Sequence, residues 1–288
     1  MTTVTDALAQ GTLLLRASDP HSARLDAQVL LGHVLRIERA DLYAHPEREL
    51  TVDQVQQYQE LLARRAQHEP VAYLTGHKGF YGLDFLVDRR VLIPRPETEL
   101  LVEAALDWLQ QRLVAGRAPL VADIGTGSGA IPITIAVEEQ RLPILYACDI
   151  SPQALEVARL NCQRHQVEER VRLLQSDLAA ALPEPVDLLL ANLPYVGTTE
   201  RESIPPDVYE YEPHLALFSG PYGLGLLFRM CKEVRQSGTL KEGGAMMLEV
   251  GYRQRDELTS MLSDLWPEAI ISWKKDYAGW DRLVQVSV

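Results

Sequence analysis

The sequence has few cysteines and no long apolar run, and each absence argues against a class of protein. Its three cysteines, Cys148, Cys162 and Cys231, are widely spaced in apolar or helical contexts. This favours reduced, buried thiols and a cytoplasmic protein over a disulfide framework. No run of about 18 apolar residues occurs, so no membrane-spanning helix is expected. The N-terminus has no basic start before its apolar part, so export is not expected either.

Positive charge is also scarce. The chain has 28 Lys and Arg residues against 40 Asp and Glu residues, which gives a net charge of −12 at pH 7. Long-range attraction of DNA or RNA is therefore disfavoured, and direct nucleic-acid binding is not expected. The histidines form no pair with cysteine or carboxylate at metal-ligand spacing, so no metal site is expected. The absence of a G-x-S-x-G turn and of a P-loop argues against the common hydrolases and nucleoside triphosphatases.

The pattern along the chain predicts three parts. Residues 1–69 show only helical periodicity, with Thr51 and Gln54 in capping-box positions, which predicts a small helical domain. Residues 70–95 are rich in glycine, aromatic and β-branched residues, which predicts a hairpin or extended connector. Residues 96–288 alternate apolar runs with helical segments and form the third part.

This third part is predicted to be an α/β domain with a seven-stranded sheet. The seven runs lie at 120–125, 144–150, 171–177, 186–192, 245–251, 269–275 and 283–288. Continuous apolar strands separated by helices indicate a mostly parallel sheet that is covered on both faces. The last two runs are joined by a short turn, so they are expected to pair antiparallel. Ser151 is expected to cap the helix that follows the second run, with Pro152 in its first turn.

A glycine-rich turn follows the first of these strands. The segment DIGTGSGAI places Gly125, Gly127 and Gly129 between a strand and a helix. Glycines allow a tight turn there, and they let a ligand approach main-chain N–H groups at the helix start. The pattern also matches a dinucleotide site, because Asp149 ends the second strand at a suitable distance for a ribose contact.

Three carboxylates distinguish between a dinucleotide and S-adenosylmethionine as the possible cofactor. Asp123 precedes the first glycine, Asp149 ends the second strand and Asp177 ends the third, so all three are expected at the carboxyl edge of the sheet. A pyrophosphate would be repelled there, whereas S-adenosylmethionine carries an ammonium, a sulfonium and a ribose diol. A charge-assisted hydrogen bond from that ribose to Asp149 would contribute roughly 1.5 to 3 kcal/mol. The alternative is that Asp123 and Asp177 only cap loops or helix starts.

The fourth strand ends with the segment ANLPYV. This end is expected beside the topological switch point of the sheet, where it would face the reactive part of a bound ligand. The Asn192 side-chain oxygen and the Leu193 carbonyl are predicted to accept both protons of a planar NH₂ group and so orient its nitrogen for methyl transfer. Pro194 would stiffen the turn, and Tyr195 would stack on the planar group. The alternative is an ordinary turn, in which Asn and Pro are common.

The order of these motifs resembles class I methyltransferases, which have a Rossmann-like fold. The segment FYGLDFLVDRRVLIPRPETELLVE at 80–103 resembles the signature of the HemK/PrmC family, and the likeness extends over nearly the whole chain. It includes the segments YEPHLALFSGPYGL at 211–224, LEVGYRQ at 248–254 and KDYAGWDR at 275–282. The resemblance implies that S-adenosylmethionine methylates the glutamine amide in the Gly-Gly-Gln motif of peptide chain release factors, which are the protein partners. A monomer is expected.

The resemblance also implies roles for particular residues. The cofactor site is expected to comprise Asp123, Gly125, Thr126, Gly127, Ser128, Gly129, Asp149, Ile150, Asp177, Leu178 and Asn192. The catalytic pocket is expected to comprise Asn192, Leu193, Pro194 and Tyr195. Arg95 and Glu97 are expected to fix the connector against the cofactor cleft.

The chain departs from the family at Leu193, where the family usually has proline. The sequence NLPY is also similar to the motif of ribosomal RNA adenine dimethyltransferases. N6-adenine methylation of ribosomal RNA is therefore the main alternative function. A cofactor-binding module without chemistry is the third.

Overall fold

The computed structural model describes residues 2–116 and 118–288. These residues form two compact units. One consists of the residues up to His77 together with Pro205–Tyr211, and the other of Lys78–Ile204 and Glu212–Val288. Within the described ranges, no helix has both the length and the apolar character needed to cross a bilayer.

The first unit is helical. Its helices are α1 (Val4–Leu15), α2 (Ala23–Leu35), α3 (Arg39–Ala44), α4 (Val52–Ala66), α5 (Val71–Thr75) and α9 (Pro206–Tyr211). The predicted capping box begins α4, where Thr51 Oγ1 accepts from Gln54 N at 3.2 Å. In return, Gln54 Oε1 accepts from Thr51 N at 3.0 Å. These reciprocal bonds satisfy two backbone donors that the helix itself leaves free.

The segment predicted as a connector contains a helix as well as a hairpin. Strands β1 (His77–Phe80) and β2 (Leu83–Leu86) form the hairpin. Before them, α5 is helical where an extended segment was expected. Pro70 stands at its N-cap with φ of −57°, and Gly76 ends it in the left-handed region with φ of 76°. Proline and glycine act here as helix boundaries, in a pattern that equally suits a turn.

The second unit contains the seven-stranded sheet. Its strands are β3 (Val121–Ile124), β4 (Leu145–Asp149), β5 (Val171–Gln175), β6 (Val186–Ala191), β7 (Leu240–Glu249), β8 (Ile270–Lys275) and β9 (Asp281–Ser287). Their order is β5-β4-β3-β6-β7-β9-β8. Strand β9 is antiparallel to both β7 and β8, and the other neighbours are parallel. The predicted mostly parallel sheet and its antiparallel last pair are confirmed.

Helices cover both faces of this sheet. They are α6 (Glu99–Val114), α7 (Ala130–Glu138), α8 (Pro152–Arg164), α10 (Gly225–Ser237) and α11 (Arg255–Leu265). Along β6, Leu188 and Leu190 belong to one core cluster while Leu189 belongs to the other. Successive residues of a strand point to opposite faces, so a continuous apolar run marks a strand that is buried on both. The three cysteines are buried and unpaired, as predicted.

The strand order reverses between β3 and β6. From β3 the chain continues to β4 and β5 on one side of the sheet, and it then returns to β6 on the other. The ends of β3 and β6 lie side by side, with Ile124 paired to Ala191. A crevice forms at such a point because the connections leave the sheet in opposite directions.

Candidate active site

A cleft of about 220 Å³ opens at this carboxyl edge of the sheet. Its lining includes many of the predicted site residues, namely Gly125, Gly127, Asp149, Ile150, Asp177, Leu178, Asn192, Leu193 and Pro194. Other parts of the wall come from the segment after β2 and from α10. A larger hollow of about 740 Å³ lies on the helical unit around His33 and Asp41, and none of the predicted site residues lines it. The chemistry therefore points to the smaller cleft.

The turn after β3 depends on glycine. The φ angles are 79° at Gly125, 54° at Gly127 and 82° at Gly129, all in the left-handed region. A Cβ on Gly125 would lie 2.9 Å from Leu193 Cδ2, which is closer than such atoms can approach. No atom of the described residues lies within 4 Å of the corresponding position on Gly127. The backbone at Gly127 is therefore open to a ligand in the cleft.

The Asp149 carboxylate holds this turn in place. Its Oδ2 accepts from Gly127 N at 2.8 Å, and its Oδ1 accepts from Ser151 N at 2.9 Å. Burial raises the pKa of Asp149, while the N–H groups of Ser151 and Gly127 lower it. A carboxylate has about four acceptor sites, so these two bonds leave capacity for a ligand hydroxyl in the cleft.

The other two predicted carboxylates occupy different places. Asp123 is only 1% exposed and does not line the cleft. Neither of its oxygens has a hydrogen-bond partner in the described ranges, and burial raises its pKa to about 7. Asp177 does line the cleft, where it forms an ion pair with Arg229. The acidic edge is thus less charged than the sequence suggested, because one carboxyl is buried and another is neutralised.

Three further predicted cofactor residues belong to this turn but do not line the cleft. Thr126 and Ser128 are 6% and 3% exposed, and Gly129 is enclosed by Ile133 and Ala158.

The glycine turn is also connected to the β1–β2 hairpin by hydrogen bonds. The Asn161 amide, which is fully buried, donates to Ser128 O at 2.9 Å and to Leu86 O at 3.0 Å.

Asn192 follows β6 and lines the cleft. Its Nδ2 donates to Thr98 Oγ1 at 3.0 Å, so the amide is turned with its oxygen available to a ligand. The Leu193 side chain is 4% exposed and packs on Gly125, which leaves its backbone carbonyl as the group that can serve the pocket. Thr98 lies in the PRPETE segment, which gives that segment a direct connection to the pocket.

Tyr195 is not among the residues that line the cleft. Its hydroxyl donates to Glu249 Oε1 at 3.2 Å, and burial raises its pKa. Its carbonyl accepts from Gln254 Nε2 at 2.9 Å, and a Cβ on Gly223 would lie 2.0 Å from the same oxygen. The backbone of Tyr195 is therefore held on two sides. Stacking of its ring on a substrate stays a prediction.

Arg95 fixes one wall of the cleft. Its Nη2 donates to Glu212 Oε1 at 2.5 Å, and Glu212 Oε2 accepts from Ile93 N at 3.1 Å. Glu212 is almost fully buried and precedes Pro213, which lines the cleft. Sequence reasoning did not single out Thr98, Glu212, Glu249 or Gln254. In the sequence, these residues could be connected with the site only because they belong to the family-like segments PRPETE, YEPH and LEVGYRQ.

Two family descriptions match the chain. Residues 6–76 match the PrmC N-terminal domain, and residues 98–204 match the methyltransferase small domain. A release factor glutamine methyltransferase of Koribacter versatilis is 44% identical over 253 residues, with 87% of each chain covered. One of Rhodopirellula baltica is 36% identical over 286 residues, covering 99% of this chain and 96% of that protein.

Solved structures of methyltransferases resemble the chain at low identity. The catalytic domain of hMettl16, in complex with MAT2A 3′UTR hairpin 6, gives a TM-score of 0.57 at 15% identity over 79% of this chain and 82% of that one. A methyltransferase from Pyrococcus furiosus gives 0.50 at 16% identity over 78% and 96%. At these identities the likeness shows the fold alone, and it confirms the class I methyltransferase fold.

Proposed function

The chain belongs to the release factor glutamine methyltransferase family, and from this membership we propose that it methylates the glutamine amide in the Gly-Gly-Gln motif of release factors. It is an enzyme that uses S-adenosylmethionine. The observation that carries the proposal is the Asn192 amide, which lines the cleft with its Nδ2 engaged by Thr98 at 3.0 Å. Its oxygen is thereby free to accept from an NH₂ group.

The residues of the cleft fit S-adenosylmethionine. This cofactor supplies a methyl group on a positively charged sulfur. The open backbone at Gly127 would admit it, and the remaining acceptor capacity of Asp149 suits a ribose diol. Ile150, which is 49% exposed, and Leu178 would provide apolar surface for the adenine ring. These assignments are part of the proposal.

The pocket after β6 would act by orientation. The nitrogen of a primary amide is a weak nucleophile because its lone pair is delocalised into the carbonyl. Two acceptors, Asn192 Oδ1 and the Leu193 carbonyl, would bind both N–H groups and aim the lone pair at the methyl donor. Misplacement by about 1 Å can reduce such a rate about a hundredfold. The nitrogen would become positively charged as it takes the methyl group and would then lose one proton readily to solvent, so Asn192 and Leu193 contribute geometry and electrostatics and do not need to act as a base.

The family match supports a protein substrate over ribosomal RNA, since residues 6–76 match the PrmC N-terminal domain. The net charge of −12 also disfavours attraction of a polyanion. The proposal includes a monomeric enzyme that acts in the cytoplasm and binds no nucleic acid directly.

A labelling experiment tests this function. Purified protein is incubated with methyl-labelled S-adenosylmethionine and either a release factor, the same factor with the motif glutamine replaced by asparagine, or ribosomal RNA. We expect label on the unaltered release factor only. Asn192→Ala should lose transfer, because it removes one acceptor, while calorimetry still detects cofactor binding. Label on the RNA, or equal turnover by Asn192→Ala, would contradict the proposal.

A further inference from the structure

Glu249 is a buried carboxylate that contacts Tyr195, one of the residues of the proposed amide pocket. It ends β7 and is only 2% exposed. Within the described ranges it forms no ion pair, and its Oε2 has no hydrogen-bond partner. Burying an unpaired carboxylate is costly, so a stable fold has little reason to place one there for packing alone.

Two hydroxyl groups lie near this carboxylate. The Tyr195 hydroxyl donates to Oε1 at 3.2 Å. The Thr98 hydroxyl lies near enough to lower the pKa of Glu249. Thr98 is also the residue whose Oγ1 accepts from Asn192 Nδ2 at 3.0 Å. Glu249 therefore contacts Tyr195 directly and faces Asn192 across one intervening side chain, Thr98.

The charge of Glu249 determines which of these groups donates and which accepts a hydrogen bond. An ionised carboxylate has no proton, so it can only accept from hydroxyl groups. The negative charge of Glu249 orients the nearby Thr98 hydroxyl with its proton toward the carboxylate, although no hydrogen bond joins the two, and a hydroxyl oriented in this way has only lone pairs left for Asn192. It must then bind the NH₂ end of the Asn192 amide, and the oxygen end is left for the cleft. Without the carboxylate, Thr98 could donate to Asn192 Oδ1, and the amide would present an NH₂ group that cannot accept from a substrate.

We propose that Glu249 is a positioning residue for methyl transfer: through Thr98 it fixes which end of the Asn192 amide faces the substrate, and it anchors Tyr195. This inference rests on the proposed function, because it concerns the same pocket. Glu249 itself does not line the cleft, so it acts through its neighbours and not on the reacting atoms.

Protonation of Glu249 would reverse the donor and acceptor roles of Thr98 and Asn192. The pKa of Glu249 is raised to about 7, chiefly by burial; Thr98, Tyr195 and Arg282 oppose this rise, and the charge of Glu97 adds to it. A protonated carboxyl can donate to Thr98, which would then be free to donate to Asn192. The turnover rate should therefore fall as the pH decreases through about 7. Asp123 has a pKa in the same range, so variants are needed to assign the effect.

The test compares Glu249→Gln with the wild type on a full-length release factor. An amide at this position keeps the volume but can donate, so kcat should fall by on the order of a hundredfold. The KM for release factor and the Kd for cofactor should change little. The acidic limb of the kcat profile should become shallower, because Glu249 no longer titrates there. Loss of folding alone would not change the slope of that limb.

A second pair of variants covers the case in which Glu249→Gln does not fold. Thr98→Val removes the hydroxyl at equal volume and should lose kcat, and Thr98→Ser, which keeps the hydroxyl, should recover most of that loss. Wild-type kcat and an unchanged pH profile in Glu249→Gln, or wild-type kcat in Thr98→Val, would overturn the positioning role while the proposed function stands. Absence of release factor labelling by the wild type would overturn both.

Discussion

At the scale of single residues, Asp149 holds the glycine turn and is also proposed to bind the cofactor. It accepts from the backbone of Gly127 and Ser151, and it lines the cleft with acceptor capacity to spare. The same carboxylate thus shapes the glycine turn and is available to a ligand. Its substitution should affect cofactor binding both directly and through the turn.

Asp149→Asn should weaken cofactor binding by roughly 1.5 to 3 kcal/mol, or about ten- to a hundredfold in Kd. The amide loses the charge, and its NH₂ end cannot accept from either backbone N–H. Calorimetric titration with S-adenosylmethionine measures the change. Asp264→Asn, the same substitution at an exposed position on α11, is the matched control and should bind like the wild type. Equal affinity in both variants would remove Asp149 from the cofactor site.

Functional residues can be predicted from the sequence when they lie at the end of an apolar strand. Asp149 and Asn192 could be identified because apolar runs end at them and because the carboxyl ends of parallel strands meet. Glu249 also follows such a run, but nothing local shows that its side chain is buried. Thr98 occupies an ordinary helix-start position. Its contact with Asn192 joins residues 94 positions apart, and only the tertiary structure creates it.

At the scale of elements, the loop after β6 is held by the segment around Gly223. The φ angle of Gly223 is 78°, and an added Cβ would lie 2.0 Å from the Tyr195 carbonyl oxygen. That oxygen belongs to the backbone and cannot move away without shifting the pocket. A side chain at this position should therefore damage both stability and activity.

Gly223→Ala should lose at least about 2 kcal/mol of unfolding free energy, since it adds a backbone clash to an unfavourable φ. Gly220→Ala is the matched control in the same segment. Its φ is 70°, but no atom in the described part of the chain lies within 4 Å of the added Cβ, so it should lose only about 1 kcal/mol. Denaturant unfolding of both variants gives the difference. Equal losses would mean that the close approach to Tyr195 does not matter.

Most elements could be predicted from the sequence, and the exceptions have physical reasons. The seven strands follow continuous apolar runs, and Ser151 Oγ accepts from Ala154 N at 3.1 Å as its predicted cap role requires. The helix α5 was missed because five residues between a proline and a glycine suit a turn equally well. Strand β7 begins at Leu240 and not at 245, because its charged and glycine-containing start pairs with Val186 across a register shift.

At the scale of the whole molecule, the net charge of −12 should influence docking of the protein substrate. If the docked release factor domain is basic, kcat/KM for it should fall as ionic strength rises, because salt screens the attraction between exposed charges. Steady-state rates in increasing NaCl measure the effect. Cofactor Kd in the same salts is the control that separates docking from cofactor loss. A kcat/KM that does not vary with salt would mean that the acidic surface has no part in docking.

The Leu193 side chain has a wider consequence. It is nearly fully buried against Gly125, so an apolar contact helps to separate the turn that would hold the methyl donor from the loop that would hold the acceptor nitrogen. Neither protonation nor salt alters such a contact. The bulk of this aliphatic residue thus contributes to the distance that the methyl group would have to cross, and its contribution should remain constant even under conditions that change the polar groups around it.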